Sequence, residues 1–149
     1  MIKALATIKG YYDYGMFAPI QIASIIAMRE LGDTPGEQAK IYEHRRDVVC
    51  AGLDKLGWSY ERPRASMFVW AKINDAHFKA GEGTIDFCLR MMDAAEVALA
   101  PGRAFGENGE GYVRIALVEN DQRLKQTMRN LDRALNPRKP KPRRETARA

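Results

Sequence analysis

Apolar and polar residues recur with two different periods along this chain, and together they predict a small sheet covered by helices. A period of two is typical of half-buried strands, whereas apolar residues three and four positions apart indicate helices. The predicted strands are 58–60, 66–73, 97–100 and 112–117. The predicted helices begin at Pro19, at about Gly36, after a cap at Thr84, and after a cap at Glu119 or Asn120. This order of elements predicts an α+β fold with a small mixed sheet of three to four strands.

The N-terminal part of the chain contains a helix that is apolar on nearly every side. Residues 1–9 are predicted as the end of a helix, and residues 10–17 as an aromatic loop with a glycine near each end. Pro19 then opens a helix that carries apolar side chains around most of its circumference up to Leu31. We therefore expect a second domain or a partner chain to cover this helix.

One charged residue lies inside the last predicted strand. Tyr112, Arg114 and Ala116 share one face of that strand, because side chains alternate between the two faces. The other face is apolar, so Arg114 is predicted to point away from the core. A guanidinium on a largely apolar strand is costly to desolvate unless a carboxylate or phosphate accepts its paired N–H groups. We therefore predict an anion opposite Arg114.

The segment before this strand, residues 101–111, is rich in glycine. Glycines allow tight turns and close approach of the backbone to a ligand. A strand, a glycine loop and a strand with Arg114 would together form an anion pocket. The alternative is that Arg114 pairs with an Asp or Glu of its own chain and that the glycines only make turns. The pattern alone leaves both interpretations open.

The net charge of +5 is confined to the C-terminal end. Residues 1–136 carry equal numbers of basic and acidic side chains, so we expect no specific nucleic-acid partner. Residues 137–149 are rich in proline, lysine and arginine and are predicted to be a basic disordered tail. Such a tail could contact RNA or a membrane surface without specificity, but a solvated extension is the favoured interpretation.

The sequence indicates no membrane segment, metal site or reactive thiol. Its longest apolar runs fall short of the roughly 20 residues that span a bilayer, and no signal peptide is recognisable, so we expect a cytoplasmic protein. Cys50 and Cys88 lack a CxxC neighbour and are predicted to be buried free thiols. His44 and His77 have no catalytic companion that spacing indicates.

Three segments resemble a known family. They are KGYYDYGMFAPIQIASI, ASMFVWAKI and PGRAFGENGEGYVRIALVEND, at 9–25, 65–73 and 101–121. Together they are similar to the C-terminal part of fold type I aminotransferases that depend on pyridoxal phosphate, in the branch of the alanine and LL-diaminopimelate aminotransferases. The similarity extends from about Met1 to Leu135. It implies amino transfer between an amino acid and a 2-oxo acid.

The resemblance also implies roles for particular residues. Arg114 takes the place of the arginine that binds the substrate α-carboxylate, and Phe68 the place of an aromatic residue near the substrate. Ser66 stands where the family usually has glycine. Gly15, Met16 and Phe17 match a loop at the dimer interface of relatives, so they are expected to contribute to a pocket shared between subunits. The full-length parent is expected to be a homodimer.

The family's cofactor-binding residues are not found in this sequence. None of its lysines follows a serine, as the Schiff-base lysine of relatives does. We therefore expect residues 1–32 to be the edge of a large cofactor-binding domain and residues 33–136 to be the complete small domain. The isolated chain should be a catalytically incomplete aminotransferase fragment. The alternative is a noncatalytic interaction module that kept the small-domain fold and binds a partner through its tail or its isoleucine-rich helix.

Overall fold

The computed structural model describes residues 1–137, and the predicted tail falls almost entirely outside this range. The chain divides into two compact units, Met1–Gln38 and the part from Ala39 onward. The helices are α1 (Ile2–Asp13), α2 (Ala18–Glu30), α3 (Thr34–Leu56), α4 (Thr84–Ala95) and α5 (Asp121–Leu135). The strands are β1 (Ser59–Tyr60), β2 (Phe68–Lys72), β3 (Ala100–Pro101) and β4 (Tyr112–Ala116). Three short 3₁₀ turns, Asp75–His77, Gly102–Phe105 and Glu107–Gly109, lie in the connections.

The four strands form one sheet in the order β1-β2-β4-β3. The predicted α+β class is confirmed, but the sheet is antiparallel throughout the described chain and not mixed. The reason lies in the position of β4. Helix α4 connects β2 to β3, which run in the same direction, and β4 inserts between them antiparallel to both. Trp70 and Ala100 are consequently the partners of Arg114 on its two sides.

One face of this sheet forms the core of the second unit. Val69 and Ala71 of β2 alternate with exposed or half-buried residues, as do Val113 and Ile115 of β4. They pack against apolar side chains of the three helices α3, α4 and α5, for example Leu53, Phe87 and Leu131. Burial of each large apolar side chain contributes roughly 1.5–3 kcal/mol. The strand alternation read from the sequence is therefore confirmed, and it leaves the opposite sheet face open.

The ends of α4 and α5 are capped in different ways. Asn120 caps α5 as predicted, because its side chain accepts a hydrogen bond from the Arg123 amide at 3.0 Å. Thr84 was expected to cap α4 but lies inside the helix, and Gly83 occupies the cap position. The Glu110 carboxylate supplies the acceptor, since the amide and the hydroxyl of Thr84 donate to it at 2.7 and 2.8 Å.

In the first unit, α1 is longer than the sequence predicted. It continues through Gly10 to Asp13, so only residues 14–17 of the predicted aromatic loop are non-helical. Tyr14 and Gly15 end the helix with positive φ angles of 52° and 115°. Helix α2 begins with proline in its first turn, as predicted, and its apolar side chains are exposed in the described structure.

Candidate functional site

A cleft of about 890 Å³ lies over the open face of the sheet. Strands β1, β2 and β4 contribute to it, together with the connection from β1 to β2. Its lining residues are Ser59, Tyr60, Glu61, Arg62, Pro63, Arg64, Ser66, Phe68, Trp70, Asn108, Tyr112 and Arg114. The fold thus brings two predicted site residues, Arg114 and Phe68, together in one cleft.

The Arg114 side chain is half-buried and packs against aromatic rings. Its guanidinium carbon lies over the Phe68 ring at 4.3 Å from the centroid and over the Phe105 ring at 4.6 Å. Within residues 1–137, no carboxylate forms an ion pair with it. The aromatic faces attract the cation, but they do not satisfy the hydrogen-bonding capacity of its N–H donors. The guanidinium N–H donors therefore have no carboxylate partner among residues 1–137.

The other charges of the cleft come from the connection between β1 and β2. Arg62 is engaged elsewhere, because its guanidinium pairs with the Asp47 carboxylate at 2.6 Å. Glu61 and Arg64 are exposed. Of the described residues that line the cleft, three are arginines and none is a lysine. The cleft therefore carries more positive than negative charge, and among the described residues it offers no amine for a covalent bond to a carbonyl compound.

Phe68 follows a turn with an unfavourable backbone conformation. Ser66 has a φ angle of 87°, in the region that glycine adopts without steric cost. Glycine, which the resemblance implies at this position, would therefore be easier to accommodate than serine. Serine at this position does not displace Phe68 from the Arg114 guanidinium.

Trp70 and Tyr112 line the cleft, and Phe105 of the glycine loop contacts Trp70; none of the three was predicted as a site residue. Trp70 stacks on Tyr112, with ring centroids 5.8 Å apart and an angle of 15° between the planes, and meets Phe105 edge-on at 5.6 Å. Strand alternation already places Trp70 beside Phe68 and Tyr112 beside Arg114, so these two could have been found from the sequence. Phe105 belongs to a loop, where no periodicity indicates its direction.

Two backbone segments of the glycine loop, one at Gly102 and one at Gly109, lie in close contact. A Cβ atom on Gly109 would overlap the Gly102 carbonyl, and one on Gly102 would overlap the Gly109 carbonyl. Gly106 and Gly111 have positive φ angles of 126° and 81°. Two glycines are therefore required for the close approach of two backbone segments, and two for turns. Arg103 of this loop pairs with the exposed Glu107 at 3.5 Å.

The remaining predicted site residues belong to the first unit. Gly15, Met16 and Phe17 connect α1 to α2. The Gln21 side chain donates to the Met16 carbonyl at 2.6 Å and so closes the turn before α2. The side chains of Met16 and Phe17 are exposed. Their role in a shared pocket stays a prediction.

The cysteines and one histidine are structural residues of the second unit. Cys50 and Cys88 are buried free thiols, as predicted. Burial raises the pKa of both thiols, that of Cys88 to about 11, which disfavours the reactive thiolate. The Trp58 indole donates a hydrogen bond to His77 Nδ1 at 2.8 Å. Burial, together with the nearby Arg90 charge, lowers the pKa of His77.

Within the part of the chain that the structure describes, two further kinds of feature are missing. No helix among residues 1–137 has the length and apolar character needed to cross a membrane. No cluster of three or more histidine, cysteine or acidic side chains in the same range could hold a metal ion.

The family of the chain follows from its similarity to known proteins. The model of the aminotransferases of class I and II matches residues 8–131. This match covers most of the chain, and the chain therefore belongs to the class I and II aminotransferase family. The resemblance noted in the sequence is confirmed.

Individual relatives support the same assignment. The chain is 41% identical over 131 residues to the glutamate-pyruvate aminotransferase AlaC of Escherichia coli K12, covering 88% of this chain and 31% of that protein. It is 35% identical over 135 residues to the LL-diaminopimelate aminotransferase of Moorella thermoacetica, covering 91% of this chain and 33% of that protein. The chain thus spans about a third of the length of these relatives.

A solved structure has the same fold. The probable N-succinyldiaminopimelate aminotransferase of Thermus thermophilus superposes with a TM-score of 0.79 at 30% identity. The superposition covers 90% of this chain and 34% of that protein. The arrangement of helices and antiparallel sheet described above is therefore one that an aminotransferase contains.

Proposed function

We propose that this chain supplies the substrate-carboxylate site of an aminotransferase that moves an amino group between an amino acid and a 2-oxo acid. The observation that carries the proposal is the Arg114 guanidinium, which faces a cleft and has no carboxylate partner within residues 1–137. An arginine used only for stability is normally paired within its own protein. A partly buried arginine without such a partner favours an external anion.

Arg114 orients the substrate and does not react with it. The fork of a guanidinium matches the two oxygens of a carboxylate through two parallel N–H···O bonds. Every amino acid and every 2-oxo acid carries a carboxylate beside its reacting carbon, so one clamp serves both substrates. Holding that group fixes where the reacting carbon lies, and positioning of this kind lowers the barrier of the chemical step.

Phe68 is proposed to contribute an apolar wall beside the bound carboxylate. It already contacts the guanidinium that would hold the substrate. Gly15, Met16 and Phe17 are proposed to complete a pocket across the interface of a homodimer. Their exposure in the described chain is compatible with burial by another subunit.

Family membership implies pyridoxal phosphate, but the residues described here do not fit it. A lysine would have to hold this cofactor covalently, and the cofactor would then accept the electrons left at the reacting carbon of the substrate. No lysine lines the cleft among residues 1–137. We therefore propose that this chain alone has no transaminase activity and that another protein segment contributes the lysine. In this proposal residues 1–32 belong to the edge of that cofactor-binding domain, and residues 33–136 form the small domain.

A chimera tests this proposal. The matched third of E. coli AlaC would be replaced by this chain, and amino transfer from glutamate to pyruvate would be measured. The Arg114→Lys variant should lower kcat/KM about 10- to 100-fold, because it removes a bidentate charged interaction of roughly 1.5–3 kcal/mol. Arg133→Lys on the exposed side of α5 is the control and should have no effect. Equal activity of the Arg114→Lys and unmodified chimeras would refute the carboxylate role.

A second candidate is a noncatalytic interaction module derived from the same domain. The exposed isoleucines of α2 favour it, since such a surface normally contacts another protein. Deletion of residues 137–149 and measurement of the oligomeric state distinguish the two candidates. A monomer whose partner binding is lost with the deletion would support the module. Restoration of activity by a separate chain that carries the lysine domain would support the enzyme.

A further inference from the structure

Phe105 is an exposed aromatic residue in an unexpected place. It lies at the end of the short turn Gly102–Phe105 in the glycine loop, and 54% of its surface is exposed. It is not part of the apolar core. An exposed phenylalanine contributes less to the stability of the fold than a phenylalanine that is buried in the core. Its contacts therefore indicate what it does.

The contacts of Phe105 are made with the cleft. The guanidinium carbon of Arg114 lies over the Phe105 ring, and that ring meets Trp70 in an edge-on arrangement. Phe68 reaches the same guanidinium from β2, whereas Phe105 reaches it from the loop that follows β3. Neither ring offers an oxygen or nitrogen acceptor to the guanidinium N–H donors. Arg114 is thus held by two separate parts of the chain while its donors stay free.

The loop that carries Phe105 has little freedom to move. Gly102 and Gly109 approach too closely to admit a Cβ atom on either residue. At the end of the loop, the Gly111 amide donates to the Thr84 hydroxyl at 2.6 Å, which connects the loop to α4. The backbone that carries Phe105 is therefore held by contacts on both sides of that residue.

We propose that Phe105 is a positioning residue that orders the Arg114 guanidinium before a carboxylate binds. This inference rests on the proposed function of Arg114 as the carboxylate clamp. A free arginine side chain has many rotamers, and fixing one of them on binding costs affinity. The Phe105 and Phe68 rings select the bound rotamer in advance, because both attract the cation. No ion pair at the surface is then required to hold the Arg114 side chain in that rotamer.

The test uses the full chain labelled with ¹⁵N-arginine, with pyruvate as the carboxylate probe. The mobility of the Arg114 Nε–H group is measured by ¹⁵N relaxation, and its signal is identified by its loss in Arg114→Lys. Phe105→Ala should make this group more mobile and weaken pyruvate binding about two- to five-fold, the range expected for an exposed cation–π contact. Phe105→Trp should restore both properties, whereas Phe105→Leu, which is apolar but has no aromatic face, should not.

Leu89→Ala is the matched control, because Leu89 on α4 is also 54% exposed. It should leave both the Arg114 mobility and the pyruvate affinity unchanged. The inference is overturned if Arg114 is as ordered in Phe105→Ala as in the unmodified chain, or if leucine restores order as well as tryptophan. If Phe105→Ala mobilises Arg114 but pyruvate binds to no variant, the positioning role stands and the proposed carboxylate function fails.

Discussion

Substitution of Gly109 by alanine tests how the glycine loop is built. A Cβ atom at this position would overlap the backbone carbonyl of Gly102. No flexible side chain can move aside to relieve the overlap, so two backbone segments have to separate. The change should also displace the neighbouring Phe105 ring from Arg114.

The expected loss of stability is the difference between two effects. Overpacking costs typically about 1–3 kcal/mol, and a backbone overlap belongs at the upper end. Replacing glycine by alanine also restricts the unfolded chain, which stabilises by about 0.4–1 kcal/mol. The net loss should therefore be about 2 kcal/mol, equivalent to a Tm lower by about 10 °C for a domain of this size.

Urea and thermal unfolding followed by circular dichroism provide the measurement. Gly83→Ala is the control, since a Cβ there would lie 3.6 Å from the Glu110 carboxylate oxygen, an ordinary contact. It should change the free energy of unfolding by less than about 1 kcal/mol. If Gly109→Ala unfolds at the same urea concentration as the unmodified chain, the close approach of Gly102 and Gly109 does not exist in solution.

Three further predictions concern stability. Ser66→Gly should raise the free energy of unfolding by up to about 1 kcal/mol in urea titration, because glycine relieves the positive φ angle of 87° but is freer when unfolded; a loss would contradict this. Hydrogen bonds from the Thr84 amide and hydroxyl lower the pKa of Glu110, so its contribution is present above about pH 4.3 and is lost as the pH falls through the lower folded pKa. Glu110→Gln should therefore be less stable than the unmodified chain at pH 7 and nearly equal to it near about pH 3, and a gap that persists in acid would refute the assignment. Because the pKa of His77 is lowered in the fold, stability should decrease as the pH falls below about 6.5. His77→Gln, which can still accept the Trp58 hydrogen bond, should flatten this slope.

The properties that depend on local periodicity were predictable from the sequence. The alternation around Arg114 placed this residue on the face opposite Val113 and Ile115, and the structure has it there. Asn120 was correctly predicted as one of two possible caps of α5, because an N-cap interacts with an amide only a few residues away. These features require no information about distant parts of the chain.

The properties that depend on distant contacts were not predictable. The carboxylate that accepts from the first amide of α4 belongs to Glu110, which follows Thr84 by 26 residues, and no local pattern connects the two. The sheet is antiparallel because β4 inserts between β2 and β3. Strand propensity indicates which residues form strands, but it does not determine which strands become neighbours. Phe105 was missed because a loop has no period that indicates where a side chain points. Helix α1 continues through Gly10 and two tyrosines despite their modest helix propensity.

Arg114 is proposed to bind a carboxylate that comes from outside this chain. The most direct measurement is a titration of the ¹⁵N-arginine-labelled chain with pyruvate and with pyruvamide, its uncharged amide, followed at the Arg114 Nε–H resonance. A saturable shift is expected with pyruvate and none with pyruvamide, and the shift should weaken as salt is added. An Arg114 resonance that responds to neither compound, or equally to both, would contradict it.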